Sequence, residues 1–483
     1  MKIILVNSSI DKTLLCGVDD GRPKELNYVM GRDPPLGLCY IAAVLRENGY
    51  EDVEIIDAQV EDDSINEIAK NIIRKNPDLV GISTLTFSFL YGAELAKIIK
   101  EKIKIPVVVG GVHVDLYPEA VMSHNFFDVG VIGEGEFTFL EIVKLIENNK
   151  NNNLPIWKGL GKIKNLVFLK DGKINETKKR EPIQDLDSLP FPARDLLNFD
   201  KYYLDYLSNP FVSILSSRGC PYRCSYCSKT EWSKKWRVHS PIYVVKEMEY
   251  CIENFGAKAF QFLDDTFTLH KKRIFELCKL IKERGIETEI SCLTRVDRVD
   301  KEILEALKEV GLGSISFGVE SGDQRILNGM NKQTKLIEIK RAFEICHELG
   351  IKTTALFMIG HPEETLGSIE NTKKMIKEIK PNWFKTNILT PYPGTSLYEE
   401  LLNSGKITDY WKNMTKTLKP YETPNICKNL TRKELKKMQN DINLMPYLRM
   451  PYLLNGAFNA KPKQVYRNLI WIYQIFLNRI KNF

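Results

Sequence analysis

A chain of 483 residues is too long for one ordinary hydrophobic core and divides into two or three domains. An apolar fraction of 43% with 27% charged residues excludes a disordered or fibrous chain. The net charge of +7 is spread along the sequence, which argues against a nucleic-acid partner, and no apolar run is long enough to span a bilayer. The opening run Met1–Asn7 lacks the features of a signal peptide, and the ten cysteines show no pairing pattern. A cytoplasmic protein with reduced thiols is expected.

Residues 1–147 alternate β-rich runs with helical patterns. Strands are expected at Lys2–Val6, Val53–Asp57, Leu79–Ser83, Val107–Val109 and Val129–Ile132, with helices at Leu36–Asn48, Ser64–Arg74, Tyr91–Lys102 and Glu136–Glu147. This pattern predicts an α/β domain with a doubly wound, Rossmann-like parallel sheet. Right-handed crossovers place its ligand-binding loops along one rim. Those loops carry Ser83 and Thr84, then Gly110, Gly111 and His113, then Gly133, Glu134 and Gly135. Glycines there let the backbone approach a bulky ligand. Each loop also has a plain reading: glycines after a strand are ordinary turns, Glu134 and Glu136 complement a helix dipole, and a lone His113 is simply hydrogen-bonded.

Residues 148–205 read as a linker with a polar loop at Asn149–Asn153, a small hairpin around Asp171-Gly172, and a proline-containing connector at Asp185–Asp195. From 206 to 400 the βα alternation resumes. Strands are expected at Val212–Ser216, Lys258–Leu263, Glu287–Cys292, Ser314–Phe317, Lys352–Ile359 and Trp383–Leu389, with helices at Ile242–Asn254, Lys271–Arg284, Lys301–Val310, Lys332–Leu349 and Leu366–Lys380. Six βα units make a partial (β/α)6 barrel, whose site belongs at the carboxyl ends of the strands. Residues 401–483 read as a C-terminal helical region. Its stretch 465–480 is apolar and aromatic, and two readings stand: docking on the barrel, or lying on a membrane surface, which would hint at a lipid substrate.

The loop after the first barrel strand reads Cys220-Pro221-Tyr222-Arg223-Cys224-Ser225-Tyr226-Cys227. Three thiolates at C-x3-C-x2-C spacing can hold three irons of a [4Fe–4S] cluster and leave the fourth open for another ligand. The rivals are a zinc site or three structural cysteines; zinc would want a fourth ligand, for which His239 stands twelve residues on. Cys251, Cys278, Cys292 and Cys346 fall in apolar patterns and read as core.

This cysteine spacing resembles that of the radical S-adenosylmethionine superfamily, and later stretches resemble the family in the same order: Phe262–Phe267, Thr294–Asp297, Phe317–Gly322, Met358–Pro362 and Thr390–Thr395. The resemblance implies that S-adenosylmethionine fills the open iron. Glu320 then suits its amino group or ribose and Arg295 its carboxylate. Tyr226 or Ile359 would pack on the adenine, and Gly360 would allow close approach. Asp264, beside Asp265, reads as a site residue, a metal ligand or a helix cap. The amino-terminal loops resemble the cobalamin-binding domain of one subgroup, through Pro34–Leu38, Gly110–His113 and Gly133–Glu136. One departure is informative: the Asp-x-His-x-x-Gly motif of better-known cobalamin modules is absent from the whole chain, so no histidine from it would ligate cobalt. The implied cofactors are a [4Fe–4S] cluster, S-adenosylmethionine and cobalamin, with a low-potential donor, ferredoxin or flavodoxin, and a small-molecule or lipid substrate. The implied reaction is methylation of an unactivated carbon through a 5′-deoxyadenosyl radical. Oxidation, cyclisation or rearrangement without methyl transfer is the alternative, and a non-catalytic iron–sulfur or zinc protein with a vestigial cobalamin module is the second.

Overall fold

The computed structural model describes residues 1–9, 33–61, 63–204 and 206–445. Its first sheet grows from β1 (Ile3–Asn7), α1 (Leu36–Glu47), β2 (Val53–Asp57), α2 (Ile65–Arg74), β3 (Leu79–Ser83) and α3 (Phe89–Lys102). There follow β4 (Val107–Gly110), two short helices α4 (Val112–Leu116) and α5 (Pro118–Met122), β5 (Val129–Val131) and α6 (Glu136–Asn151). The short strands are near-continuous apolar runs because both faces are covered. Leu38, Tyr40 and Leu45 of α1 pack with Phe139 and Val143 of α6 on one face. Ile68 and Ile72 of α2 pack with Leu95 and Ile99 of α3 on the other. Ser64 starts α2 with a capping box to Glu67.

The hairpin β6 (Leu166–Lys170) and β7 (Lys173–Glu176) joins this sheet. Its two-residue turn places Asp171 and Gly172 at φ of 52° and 72°, the positive values a twisted hairpin needs. The strand order is β2-β1-β3-β4-β5-β6-β7, the first five parallel and the last two antiparallel. The order in which strands are added reverses between β1 and β3, which opens a crevice at their carboxyl ends.

The second sheet starts at β8 (Phe211–Ile214), followed by the two-residue strands β9 (Ser217–Arg218) and β10 (Arg237–Val238), which pair antiparallel and bracket the cysteine loop. Then come α7 (Pro241–Phe255), β11 (Ala259–Phe262), α8 (Lys271–Glu283), β12 (Glu289–Thr294), α9 (Lys301–Glu309), β13 (Leu312–Glu320), α10 (Gln324–Gly329), α11 (Leu336–Glu348), β14 (Lys352–Ile359), α12 (Leu366–Ile379) and β15 (Trp383–Ile388). Strands β8, β11, β12, β13, β14 and β15 lie side by side in chain order, all parallel. Such a singly wound order gives the six-stranded partial barrel, with its helices outside. Phe260, Cys292, Phe317 and Phe357 face those helices in one core, where Cys251, Cys278 and Cys346 also lie.

The last described helices tie the two sheets together. Tyr398 of α13 (Ser396–Asn403) and Tyr410, Trp411 and Met414 of α14 (Tyr410–Thr417) share a core with Phe89, Val114 and Val121 of the first domain. Helix α15 (Arg432–Leu444) instead covers the barrel's edge strand. Its Gln439 Nε2 and Asn443 Nδ2 donate to Thr386 O at 2.9 and 3.2 Å, and Asn443 Oδ1 accepts from Thr386 N at 2.9 Å. Backbone groups that would otherwise template another strand are thereby satisfied. Among the described residues no helix is long and apolar enough to cross a membrane, and the stretch 465–480 lies outside them.

Candidate active site

A cavity of about 500 Å³ lies between the carboxyl rim of the first sheet and the cysteine loop. Its floor is Leu5, Gly81, Ser83 and Val108; its sides are the rim glycines Gly110, Gly111, Gly133 and Gly135 with α1 residues Gly37, Tyr40 and Ile41; its far wall is Arg218, Gly219, Cys227, Lys229 and Asp265. One wall therefore belongs to the glycine rim and the opposite one to the cysteine loop.

Glycine is required at particular points of that rim. Gly111 has φ of 99° and ψ of 172°, a region open to glycine alone. A Cβ there would fall 2.3 Å from Thr84 O. Thr84 is buried beneath the rim, where its N and Oγ1 bond Gly110 O at 2.9 and 3.2 Å; Ser83 faces the cavity, Thr84 does not. A Cβ on Gly110 would meet nothing closer than 3.8 Å. This shallow, backbone-walled cradle fits a broad, flat ligand such as a corrin.

His113 does not reach the cradle. It is the second residue of α4 and is fully buried on the side facing α14. Its Nε2 lies 2.8 Å from Thr415 Oγ1 and its ring 4.4 Å from that of Phe89. Packed there it does not line the cavity, which corrects the expected cobalamin contact; the same burial pushes its pKa down to about 3. Glu134 lines the cavity, but both its carboxylate oxygens are engaged. Arg218 Nη1 donates to Oε1 at 2.8 Å, Arg237 Nη1 to Oε1 and Oε2 at 2.9 and 2.8 Å, and Ile183 N to Oε2 at 2.8 Å. Burial opposes ionisation of Glu134, but the two arginines outweigh it and hold its carboxyl below the usual range. Arg218 Nη2 also meets Glu136 Oε1 at 2.8 Å. Nearby, Asp115 accepts from Gly133 N at 2.6 Å and from Trp232 Nε1 at 2.7 Å; burial lifts its carboxyl to about 6 against those bonds.

The cysteine loop is braced from several sides. Gly219, at φ of 83°, has Lys235 O and Ser233 O where a Cβ would go, and Cys220 N donates to Ser233 O at 3.1 Å. Lys229 Nζ caps the carbonyls of Cys220, at 2.7 Å, and Tyr222. Ser228 Oγ donates to Pro393 O at 2.7 Å, and Asn331 Nδ2 to Arg223 O at 2.7 Å. Cys220, Cys224 and Cys227 are all free thiols on this one loop. Among the described residues no trio of Cys, His, Asp or Glu converges on a single ion. His239 is engaged elsewhere: its Nδ1 lies 3.1 Å from Asp187 and its ring stacks on Tyr243 at 4.1 Å. Three thiol groups spread along a pinned loop suit a four-iron cube better than one tetrahedral zinc.

The remaining expected residues divide. Glu320 sits at the end of β13 at φ of 67°, beside a register shift at Gly318, so its side chain is re-aimed by a strained backbone. Its Oε1 pairs with buried Lys332 Nζ at 2.9 Å, and the same ammonium reaches Tyr226 OH at 3.3 Å. Arg295 is held by Asp297 through Nε at 2.9 Å and Nη2 at 3.2 Å, lies over the Tyr222 ring at 3.8 Å, and turns Nη1 to within 3.7 Å of Cys224 Sγ. Pairing with a neighbouring acid thus accounts for part of its fork, Nη2 also donates to Lys332 O at 2.6 Å, and Nη1 alone faces the cysteine loop. Asp264 is fully buried; its carboxylate takes Ser216 N at 3.1 Å, Ser216 Oγ at 2.8 Å and Ser217 Oγ. It braces the approach to the loop and is not a ligand contact, whereas its neighbour Asp265 lines the cavity. Ile359 is core, and Gly360, at φ of 93°, lies against Leu435 of α15. Lys332 was not legible from the sequence. Twelve positions from Glu320 and far from Tyr226, it carries no motif, and only the fold brings the three together.

Residues 214–376 match the radical SAM superfamily, and residues 27–143 the B12 binding domain. The uncharacterized methyltransferase PH0819 of Pyrococcus horikoshii is 35% identical over 91% of this chain and 94% of its own length. An anaerobic magnesium-protoporphyrin IX monomethyl ester cyclase of Rubrivivax gelatinosus is 29% identical over 81% of this chain and 71% of its own. Among solved structures, the radical S-adenosylmethionine methyltransferase TsrM of Kitasatospora setae, with cobalamin and a [4Fe-4S] cluster bound, has the same fold. It superposes with a TM-score of 0.66 at 18% identity, over 84% of this chain and 78% of that one.

Proposed function

The chain belongs to the cobalamin-dependent radical S-adenosylmethionine enzymes, and from that premise we propose that it methylates an unactivated carbon of a small molecule. One observation carries the reading: a single cavity is walled by the glycine rim on one side and by the cysteine loop, including Cys227, on the other. Bound there, the cluster would supply the electron that cleaves S-adenosylmethionine, and the corrinoid would supply the methyl group and regain it from a second S-adenosylmethionine, which leaves as S-adenosylhomocysteine.

The protein's part is placement. Cys220, Cys224 and Cys227 hold the cluster, and Lys229 and Asn331 fix the loop by its carbonyls. Glu320, poised by Lys332, offers its carboxylate to the ammonium or ribose of S-adenosylmethionine, and Tyr226 lies beside both. Arg295, restrained by Asp297, keeps cationic charge against Cys224. Gly110, Gly111, Gly133 and Gly135 allow a corrin ring to lie against backbone. Reducing equivalents come from a low-potential donor, ferredoxin or flavodoxin.

Anaerobic incubation of the iron-reconstituted protein with S-adenosylmethionine, reductant and methylcobalamin tests the proposal. Both 5′-deoxyadenosine and S-adenosylhomocysteine are expected, and Cys224→Ala should abolish the first. A reconstituted protein that yields neither product refutes it. A second reading, oxidation or ring closure without methyl transfer, draws on the cyclase relatives, two of which are 29% and 30% identical over more than four fifths of this chain. Product that accumulates without matching S-adenosylhomocysteine would select it.

A further inference from the structure

The segment that carries the cysteines is not attached to the barrel alone. It begins at Arg218, two residues before Cys220, and ends at Arg237, its partner across the β9–β10 ribbon. Both guanidiniums reach out of the barrel and into the first domain. Arg218 spans two carboxylates of the rim, Glu134 and Glu136, at 2.8 Å each, while Arg237 grips both oxygens of Glu134. All four side chains are at most 8% exposed, so these contacts are little screened by solvent. Glu134 and Glu136 flank Gly135, which lines the cavity. A second tether runs in parallel, from Trp232 of the same segment through Asp115 to Gly133 N.

The connection from cluster to rim is short and stiff. Gly219 is wedged against the carbonyls of Ser233 and Lys235, and Cys220 N is bonded to Ser233 O, so the backbone between Arg218 and Cys220 has little room to move. Whatever orders the cysteines orders the guanidinium, and with it the two glutamates that frame the corrin cradle. We propose that Arg218 is a positioning residue that couples the two cofactor sites: a cluster held by Cys220 presets the cobalamin rim, and bound cobalamin in return favours the ordered cysteine loop. Coupling between binding sites is reciprocal, and the usual strength of such coupling is about 5- to 150-fold in affinity. The inference rests on the family reading above and adds an energetic link between its two sites.

Equilibrium binding of hydroxocobalamin, followed by its visible spectrum, tests this on the full chain with and without reconstituted cluster. The cluster-loaded protein should bind at least about fivefold more tightly than the metal-free protein. In Arg218→Gln that ratio should fall clearly, with the Trp232–Asp115 and Arg237–Glu134 contacts keeping it above one, while iron content stays at about four per chain. Arg218→Lys, which keeps the charge but cannot span two carboxylates, should recover less than half of the ratio. Glu136→Gln removes one anchor, leaves the Glu134–Arg237 pair in place and should lower the ratio too, which keeps the test decisive if Arg218→Gln does not fold. A wild-type ratio of one, or a ratio unchanged in every variant, overturns the coupling while leaving the family reading intact. A wild type that binds no hydroxocobalamin in either state overturns both.

Discussion

The rim glycines can be separated by substitution into one that the fold needs and one that the ligand needs. Gly111→Ala puts a methyl group 2.3 Å from Thr84 O and 3.0 Å from Thr84 N, both backbone atoms that cannot rotate away. The same residue has φ of 99°, so strain adds to the clash. About 1–3 kcal/mol for a backbone region open essentially to glycine and about 1–3 kcal/mol for overpacking give a loss of about 2–6 kcal/mol. Gly110→Ala is the contrast. Its methyl group would find its nearest neighbours, Val131 Cβ and O, at 3.8 and 3.9 Å, ordinary contact distances. Stability should then stay within about 0.5 kcal/mol of wild type or improve slightly, because alanine narrows the unfolded ensemble. Yet Gly110 lines the cavity, so its methyl group should weaken hydroxocobalamin binding. Urea midpoints from circular dichroism and hydroxocobalamin titrations, run on both variants, give the two readouts. Should Gly111→Ala unfold at the wild-type midpoint, or should Gly110→Ala bind hydroxocobalamin with wild-type affinity, the cradle described here is wrong.

Other perturbations probe the supports around the site. Lys332→Met leaves the Glu320 carboxylate buried without its partner; losing a charged hydrogen bond of about 1.5–3 kcal/mol should raise the dissociation constant for S-adenosylmethionine about 10- to 100-fold, measured by equilibrium dialysis. Arg194 and Glu247 form a pair 1% and 0% exposed at 2.5 Å. Arg194→Met should cost about 3–5 kcal/mol in denaturant stability, and adding Glu247→Leu should restore most of it, since the cost is the stranded charge. His113 has its pKa pushed down to about 3 by burial, so the unfolded chain takes up a proton that the folded chain refuses. Stability should therefore fall as pH drops below the ordinary histidine value, by about 2 kcal/mol between about pH 7 and pH 5 from this residue. His113→Phe should flatten that part of the profile, and an unchanged slope would count against a neutral, buried imidazole.

The alternation of apolar runs with helical periods was enough to expect both sheets, and the strands at Val53–Asp57, Leu79–Ser83 and Lys352–Ile359 form over those same residues. Such runs are legible because a strand covered on both faces is mostly apolar, as Leu79–Ser83 is, while Val53–Asp57 and Lys352–Ile359 mix polar residues with enough Val, Ile, Leu and Phe to read as strands. The cysteine loop was legible for a different reason: iron ligation needs three thiolates close in sequence, and few other uses produce that spacing. The roles of single polar residues were not. Thr84, His113 and Asp264 stand just past strand ends, where ligands bind, and each is turned inward by a partner distant in the chain: Gly110, Thr415 and Ser216. Glu134 looked like a helix-cap acid or a ligand group until Arg218 and Arg237 arrived from the barrel. Local sequence, then, determines which segments become strand or helix and which loop carries three closely spaced cysteines, because backbone periodicity and short spacing act over a few residues. Tertiary structure alone decides that the corrin cradle faces the cysteines, that α14 seals the first domain, and that Lys332 meets Glu320. Those contacts join residues tens to hundreds of positions apart, and only burial against one another selects them.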